Sequence, residues 1–501
     1  MEGLELSSFK PHTDDSFDPS LPRIPAKIPR SSLLVAMVEL CERFAFYGLS
    51  GPFQNYVQHS PTDKIPGKLG LGSRGANILS YFFQFWCYAT PLLGAYIADS
   101  YWGKYKTIVV FSAVYMAGIA ILFLSSLPAF SADASTSLAW FVLSIVVIGL
   151  GTGGVKANVS PLVADQVPQR SAYATVVNGA RRIVDPALTM QQVFMIFYFC
   201  INVGSLSAIF TTLLEMKVGF WAAFLLPLVF FLFALIALFA GSNSYVKKPP
   251  SRSVISHSFH IVWILLRTGG DVSRVVPSSN PHAHLPWTDA FVGEVTQALS
   301  TCKVFLFFPV YWLVYGQMLN NFVAQAATMN THGIPNDIMQ NIDPITLLIA
   351  IPLVERLLSY VRIHHGVVLS DLSRIRIGFF LAALAMFYAS LLQHFIYGSK
   401  EEIHIAWQAP SYVFIALSEI FASITGLEYA YKNAPELMKS FIMSLYLVTT
   451  AGGSMMGVVL GLSGLVRDPW MVWNYAGLGL MAAGAGWWFG RCFIHKGYAR
   501  I

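Results

Sequence analysis

Charged residues are scarce in this chain of 501 residues: Asp, Glu, Lys and Arg together make up 12% of it. Soluble domains carry roughly 25% charged residues. The hydrophobic share is 55%, and the mean hydropathy is +0.57. So few charges over so long a chain exclude a soluble enzyme with a single anchor. The composition predicts a polytopic membrane protein with many spans of about 20 residues each.

Cysteine is scarce as well, and its placement excludes two kinds of site. The five cysteines lie within or at the ends of apolar runs, and no two of them form a CxxC pair. The pattern therefore indicates neither a disulfide framework nor a zinc site. His282 and His284 lie in a polar loop, where we expect solvated side chains rather than metal ligands.

The sequence also lacks the signatures of common enzymes. It has no nucleophile elbow and no phosphate-binding loop in the right context. The glycine-rich run Gly151–Gly154 lies inside an apolar stretch, where it predicts close packing of helices. We therefore expect no enzymatic activity, no metal and no cofactor.

Long hydrophobic runs are what the chain has in abundance. Twelve apolar segments can each cross a bilayer, and their approximate ranges are 32–57, 76–98, 107–128, 138–163, 190–213, 219–241, 300–325, 344–361, 375–396, 406–430, 438–463 and 471–493. A long polar stretch divides them into two sets of six. We predict an all-α membrane protein with 12 transmembrane helices in two six-helix halves around a central cavity. This layout resembles the major facilitator superfamily.

The predicted organisation follows from these spans and the polar segments between them. It comprises a disordered cytosolic tail at 1–30, a six-helix bundle at 31–241, a cytosolic linker at 242–299, a second six-helix bundle at 300–495 and a cytosolic end at 496–501. The tail is polar and contains several prolines, so we expect no cleavable signal peptide. In the linker, the run 253–267 predicts an amphipathic helix on the membrane surface.

The distribution of basic residues agrees with this topology. If the N-terminus is cytosolic, the predicted cytosolic loops and span ends hold most of the 32 lysines and arginines. Such an asymmetry follows the positive-inside rule and predicts that both termini are cytosolic. It also accounts for the formal net charge of +6 without a nucleic-acid partner.

Three charged residues nevertheless lie inside the first span. Glu39, Glu42 and Arg43 follow the spacing i, i+3, i+4, which places them on one face of a helix. A charge near the centre of a span costs roughly 2.5–3.5 kcal/mol on insertion scales. The face must therefore look into protein or water. Two acids and a base in that position predict a path for protons or substrate.

Residues 94–106, between spans 2 and 3, resemble the loop motif of the major facilitator superfamily. Gly94 and Gly103 allow close backbone approach and a tight turn. Asp99 can bond helix ends or basic groups and so steady one conformation. The resemblance implies a conformational role for this loop, including Lys104.

Several further stretches resemble the proton-dependent oligopeptide transporters over residues 30–495. The matching stretches are Glu39–Phe44 with an ExxER pattern, Gly151–Asn158 with a GTGGxK pattern, Phe197–Leu206 in span 5, Trp407–Glu428 in span 10 and Ala434–Ser440 before span 11. The run Tyr315–Asn321 is most similar to the fungal branch of that family. The order of these stretches, the spacing within them and their placement in the spans all match the pattern of that family.

The resemblance implies a proton-coupled symporter that imports di- and tripeptides across the plasma membrane by alternating access. Transport of another small nitrogen compound, such as nitrate or a peptide-like metabolite, is one alternative, which the intact ExxER pattern disfavours. A non-transporting nutrient sensor on the same fold is another, which the intact charged sites disfavour. We expect a monomer in the lipid bilayer, with peptides and protons as its ligands.

The resemblance also implies roles for individual residues. Those expected to couple protons are Glu39, Glu42, Lys156 and Glu419. Those expected to bind substrate are Arg43, Tyr47, Tyr88, Lys156, Asn202, Trp312, Asp343, Glu419 and Tyr446. Those expected to act in conformational gating are Asp99, Gly103, Lys104 and Glu428.

Lys156 lies deep in span 4, and a buried ammonium group needs a partner. We expect Glu39 or Glu42 to pair with it, so that an arriving peptide carboxylate releases a glutamate to take a proton. A static ion-pair network between spans 1 and 4 is the alternative. Glu419, in the opposite half, would bind the peptide amino group and fix a zwitterion head to tail.

Several positions depart from the family pattern. Asp343 stands where many members carry Asn, Gly316 where many carry an acid, and Tyr81 where animal members carry His. Ser50 stands where bacterial members often have an arginine, and Phe46 replaces a frequent tyrosine. Proton coupling would then rest on the glutamates of spans 1 and 10.

Overall fold

The computed structural model describes residues 23–130, 133–168, 172–177, 180–250, 254–280, 285–365, 369–433 and 439–494. Most of the predicted N-terminal tail, the predicted C-terminal segment 496–501, His282 and His284 lie outside these ranges.

The first half of the chain folds into nine helical segments. These are α1 (Arg30–Ser50), α2 (Phe53–Gln58), α3 (Gly72–Ala89), α4 (Pro91–Ile97), α5 (Lys104–Ser126), α6 (Ala134–Asp165), α7 (Pro186–Ser205), α8 (Ser207–Lys217) and α9 (Phe220–Ala240). Proline sets two of the breaks. Pro52 separates α1 from α2, and Pro91 is the first residue of α4, where its missing N–H costs nothing.

The second half of the chain begins with two shorter helices in the predicted linker, α10 (Val254–Arg267) and α11 (Asp289–Cys302). The remaining helices are α12 (Phe308–Tyr315), α13 (Asn321–Ala326), α14 (Ile342–His365), α15 (Asp371–Gly398), α16 (Ala409–Glu419), α17 (Thr425–Lys432), α18 (Lys439–Leu462) and α19 (Met471–Phe489). One turn of π-helix at Ile420–Ile424 joins α16 to α17.

All twelve predicted spans contain helix. Within the described residues, nine helical segments are long and apolar enough to cross a membrane. Spans 1, 2 and 12 correspond to α1, to α3 with α4, and to α19. These three carry more charged, polar, glycine or tryptophan residues, which lowers their mean hydropathy.

A small sheet corrects the prediction for the N-terminal tail. Strand β1 (Arg23–Ile24) pairs in parallel with β3 (Ala180–Val184), which pairs antiparallel with β2 (Tyr173–Val177). Arg23 also binds Asp185 at 3.0 Å. The prediction of disorder is therefore wrong for residues 23–30, because backbone pairing with the loop between α6 and α7 orders the chain before α1 begins.

The linker contains more helix than its polar composition predicted. α10 matches the predicted amphipathic run: Ile261 and Leu265 are buried, whereas Trp263 and Leu266 are exposed. α11 was not predicted as part of the linker. Its apolar residues are spaced by three or four positions, which is the pattern of a helix, but they stand among polar residues. Thr288 caps it by accepting a hydrogen bond from the N–H of Phe291 at 3.3 Å.

The two halves meet on the side that the loop charges predict to be extracellular. α3 packs lengthwise on α18, α8 contacts the turn Asn336–Asn341, and α2 contacts α13. We call this contact the outer seam; its residues include Asn55, Tyr81 and Glu215 from the first half and Gln317, Asn336 and Asp337 from the second. Among the described residues, no comparable packing joins α6 and α7 to α16 and α17. In the described part of the chain, the two halves are therefore closed against each other at the outer seam.

Tyr81 is held at the outer seam by two glycines. A Cβ at Gly316 would lie 2.7 Å from Tyr81 Cε1, and one at Gly457 would lie 2.5 Å from its Cδ1. Gln317 donates a hydrogen bond from Nε2 to the Tyr81 hydroxyl at 2.6 Å. The acid that many relatives carry at position 316 would not fit beside this ring, so the departures at 81 and 316 are coupled.

The run Gly151–Gly154 packs closely against other helices, as predicted. A Cβ at Gly151 would lie 2.5 Å from the Cα of Tyr115 in α5. A Cβ at Gly94 would lie 2.5 Å from the carbonyl oxygen of Gly153. Because these contacts involve backbone atoms, no side-chain rotation can relieve them.

We predict that Gly151→Ala lowers the free energy of unfolding by about 1–3 kcal/mol, because α5 and α6 must separate to admit a methyl group. Gly477→Ala is the matched control, since a Cβ there meets nothing within 4 Å. Thermal unfolding of the purified proteins in detergent would measure both. Equal unfolding temperatures for the two variants would contradict the backbone contact.

Candidate functional site

The charged face of α1 forms a compact cluster of two acids and one base. Glu39, Glu42 and Arg43 are buried, with exposed fractions of 6%, 0% and 5%. Arg43 Nε lies 3.2 Å from Glu39 Oε1, and the Arg43 guanidinium also pairs with Glu42. The planar fork of arginine can serve two carboxylates at once. Gly204 of α7 makes room, since a Cβ there would lie 2.8 Å from Arg43 Cβ.

Lys156 of α6 does not pair with the glutamates of α1, which corrects the prediction. Its Nζ lies 3.5 Å from the centre of the Tyr88 ring and 5.1 Å from that of Phe46. It makes no hydrogen bond to any residue that the structure describes. The prediction failed because Arg43 already occupies both carboxylates. A cation over an aromatic face gains about 2 kcal/mol when desolvated, and its N–H groups stay available to a ligand.

Two acids of the second half lie near this cluster. The half-buried Glu419 is the last residue of α16, and the buried Asp343 lies in the first turn of α14. They are close enough to repel each other. Tyr315 lies within electrostatic reach of both acids. Glu419 Oε2 and Asp343 Oδ1 have no hydrogen-bond partner among the described residues.

A π-turn over Ile420–Ile424 follows Glu419 directly. At its end, the hydroxyl of Thr425 donates a hydrogen bond to the carbonyl of Ile420, five residues earlier, at 3.2 Å. Single π-turns inside α-helices occur frequently at functional sites. The turn is therefore consistent with a functional position for Glu419.

A cavity of about 60 Å³ is lined by residues of both halves, and none of the charged groups above belongs to its described wall. Seven aromatic residues line it, namely Phe46, Tyr47, Phe53, Phe83, Tyr88, Trp312 and Tyr315. Tyr47 and Tyr88 are each within electrostatic reach of both Arg43 and Glu419. Of the predicted substrate ligands, Tyr47, Tyr88 and Trp312 therefore line this cavity, whereas the charged residues lie near its wall without lining it.

Two residues that were predicted to bind substrate lie outside the wall of this cavity. Asn202 of α7 donates from Nδ2 to the carbonyl of Tyr198 at 2.8 Å. Tyr446 of α18 donates to the carbonyl of Ser423 at 2.8 Å, and its ring packs on Phe305 and Phe308. Neither residue lines the cavity described above. Tyr446 has the contacts of a packing residue.

The predicted gating residues lie at the inner ends of the helices. Gly103 adopts a φ of 74° and starts α5. Lys104 then binds Asp165 at 2.5 Å, and Lys248 binds the same carboxylate at 2.8 Å. Asp165, which was not predicted, thus takes the pairing expected of Asp99; in the described part of the chain Asp99 forms no ion pair. Glu428 binds Lys432 at 2.6 Å and Arg374 at 3.5 Å.

Sequence reasoning missed three groups of the cavity wall that helical spacing could have found. Tyr315 follows Trp312 by three residues, Ser50 follows Tyr47 by three, and Gln84 precedes Tyr88 by four. Residues so spaced share a helical face, and all three line the cavity. Asn320, which also lines it, lies in a non-helical break that no periodic pattern predicts.

Comparisons with known proteins agree on one family. The family model described as POT family matches residues 105–463. Peptide transporter PTR_C of Candidozyma auris is 51% identical over 95% of this chain and 86% of its own length. Peptide transporter PTR2 of Saccharomyces cerevisiae is 45% identical over 98% and 83%. The crystal structure of the POT family transporter PepTSo superposes with a TM-score of 0.78 at 24% identity, over 95% and 100%.

We predict that Arg43→Gln destabilises the protein by about 3–5 kcal/mol near pH 7, because Glu39 and Glu42 are left buried without their cation. The loss should be smaller near pH 5, where the carboxylates can be neutralised by protons. Thermal unfolding at both pH values would measure the difference.

Lys64→Gln is the matched control for this prediction. It breaks the exposed pair that Lys64 makes with Glu402 at 2.8 Å, which should cost less than about 1 kcal/mol at either pH. The double variant Arg43→Gln/Glu42→Gln should regain part of the loss. If Arg43→Gln unfolds equally early at both pH values, the ion pairs are not what the arginine contributes.

Proposed function

The chain belongs to the POT family, and on this basis we propose how its charged cavity carries peptides and protons together. The protein is a proton-coupled peptide transporter with the fold of the major facilitator superfamily, and it is not an enzyme. We propose that it imports di- and tripeptides across the plasma membrane as a monomer. Both termini would lie in the cytosol, and the proton would be its only coupling ion.

Charge of opposite sign on the two sides of the cavity carries this proposal. Lys156 Nζ in the first half, and Glu419 Oε2 and Asp343 Oδ1 in the second, lack hydrogen-bond partners among the described residues. A zwitterionic peptide can supply a partner of opposite charge on each side. Its carboxylate would bind Lys156 and Arg43, and its ammonium group would bind Glu419 and Asp343. Charged hydrogen bonds in a site shielded from water are strong.

The aromatic wall would define the size of the substrate. Tyr47, Tyr88, Trp312 and Tyr315 lie between the charged groups and offer flat apolar surfaces with polar edges. Such surfaces can contact peptide side chains of many kinds without selecting one kind. The fixed distance between the two charged ends would then favour short peptides, while Asn202 and Asp343 are candidates for contacts with the peptide backbone.

Competition for Arg43 would couple the proton to the peptide. In the structure Arg43 neutralises both Glu39 and Glu42. A peptide carboxylate that reaches Lys156 and then Arg43 displaces one glutamate from the guanidinium. That glutamate, buried and without its cation, takes a proton from water. Release of the peptide restores the ion pair, and the proton leaves towards the side that is then open.

Alternating access would complete the cycle. A peptide held at both ends bridges the two halves and favours the closed state. The outer seam is closed in the structure, and on the predicted topology we infer that this is the inward-facing state. Lys104 with Asp165, and Glu428 with Lys432, would steady the inner ends of the helices in this conformation.

Uptake of a labelled dipeptide into proteoliposomes tests the proposed function. We expect an inward proton gradient to drive accumulation and an uncoupler to abolish it. Glu42→Gln should reduce gradient-driven uptake at least tenfold while sparing peptide counterflow, because the site binds peptide but no longer exchanges the proton. Loss of counterflow as well would make Glu42 structural, and uptake of nitrate or of no solute would favour the alternative transporter or the sensor.

Paired ligands test the role of Glu419. Glu419→Gln should weaken binding of a dipeptide with a free amino group by roughly 10–100-fold, the value of one hydrogen bond between charged groups. The N-acetylated dipeptide should bind the wild-type protein and the variant about equally. A ligand-dependent thermal shift would measure all four affinities. Equal weakening for both ligands would contradict a contact with the amino group.

A further inference from the structure

The outer seam holds two buried acids that the proposed transport site does not use. Glu215 lies in the last turn of α8, in the first half of the protein. Asp337 lies in the turn Asn336–Asn341 that precedes α14, in the second half. Their exposed fractions are 8% and 0%. The two carboxyl groups lie close to each other across the seam, since Asn55 hydrogen-bonds both Glu215 and Asn336, the residue before Asp337.

Amide groups surround this pair, but no described cation binds it. Asn55 donates from Nδ2 to Glu215 Oε1 and to Asn336 Oδ1, each at 2.9 Å, and Asn336 donates back to Asn55 Oδ1 at 3.0 Å. Neither acid forms an ion pair within the described ranges. Glu215 Oε2 and both Asp337 oxygens find no hydrogen-bond donor there either.

The other ionisable groups nearby do not neutralise the pair. Tyr412 of α16 faces Asp337, and its hydroxyl donates to the carbonyl of Met318 at 3.3 Å. A cavity of about 350 Å³ adjoins the seam, and its wall includes Lys64, His332 and Glu402. Lys64 is already bound to Glu402 at 2.8 Å.

Two adjacent carboxylates cannot both stay ionised in a buried site without a cation, because their repulsion adds to the cost of desolvation. At least one must hold a proton. That proton fits between Glu215 and Asp337, where the O–H of one acid donates to the other. This accounts for two of the three oxygens that lack any other donor.

We propose that Glu215 and Asp337 form a proton-binding site that exists only while the outer seam is closed. The proposal rests on the proposed function in that it assumes alternating access. Opening the seam moves the two halves of the site apart, and each carboxyl group then meets water separately. The shared O–H bond breaks, its proton passes to water outside, and both acids ionise.

This proton differs from the one that crosses the membrane. It is taken from the outer solution when the seam closes and returned to the same solution when the seam opens. It therefore does not change the number of protons carried per peptide. It makes closure of the outer seam favourable at low external pH, since the closed state binds one more proton than the open state.

Distances between spin labels on the two sides of the seam test the proposal. Thr62→Cys and Lys400→Cys provide exposed positions, one on each half, after the five native cysteines are replaced by alanine. In nanodiscs without peptide, we expect the ratio of closed to open seam to rise as the pH falls from about 8 to about 5. One linked proton gives up to about tenfold per pH unit.

The double variant Glu215→Gln/Asp337→Asn keeps the shape of the site but removes both acids. We expect the pH dependence of its closed-to-open ratio to be shallower by up to about tenfold per pH unit. Glu402→Gln, an acid of the adjoining cavity, is the matched control and should keep the wild-type slope. If the double variant does not fold, Asp337→Asn alone should show the same loss.

Four outcomes would overturn the proposal. They are an unchanged slope in the double variant, an equal loss of slope in Glu402→Gln, a fall in the number of protons carried per peptide by the double variant, and closure driven by Na⁺ at constant pH. The last would make the pair a metal-cation site. The distance measurement needs no transported substrate, so a failure to take up dipeptide would count against the proposed function and not against this site.

Discussion

Neutralising charge inside a membrane is the constraint on which this molecule depends. Arg43 meets it in the first half by serving Glu39 and Glu42 together. As a consequence, Lys156 packs over the ring of Tyr88, which stabilises its charge, but its ammonium group has no hydrogen-bond partner among the described residues. The second half contributes the two acids Glu419 and Asp343 near the cavity. Opposite charges therefore lie on the two sides of the aromatic wall before any ligand enters.

Part of the fold and of the candidate site could be predicted from local geometry. The spacing of Glu39, Glu42 and Arg43 fixes them on one face of a helix whatever the rest of the chain does. Glycines inside apolar runs predict close helix contacts for a similar reason, and the contact of Gly151 with α5 confirms it. Hydrophobicity alone predicted helix in all twelve apolar segments, and nine helical segments of the described residues are long and apolar enough to cross a membrane.

What sequence could not supply depends on contacts between distant segments. The partner of Lys156 is decided by how α1, α3 and α6 pack, and Arg43 competes for the same acids. Strand β1 pairs with β3, which lies far along the sequence. The residues around Arg23 therefore carry no local pattern that predicts this strand. Glu215 and Asp337 lie at the ends of spans, where acidic residues are usually solvated. Only the closed outer seam brings them together and removes them from water.

The sheet at the inner face has a mechanical meaning. β1 joins the start of the chain to the hairpin between α6 and α7, and Arg23 secures it to Asp185. All of these elements belong to one six-helix bundle. The segment Arg23–Ile24 must therefore move with that bundle when the two halves move against each other. A label attached at Arg23 would report the position of the first half relative to the second.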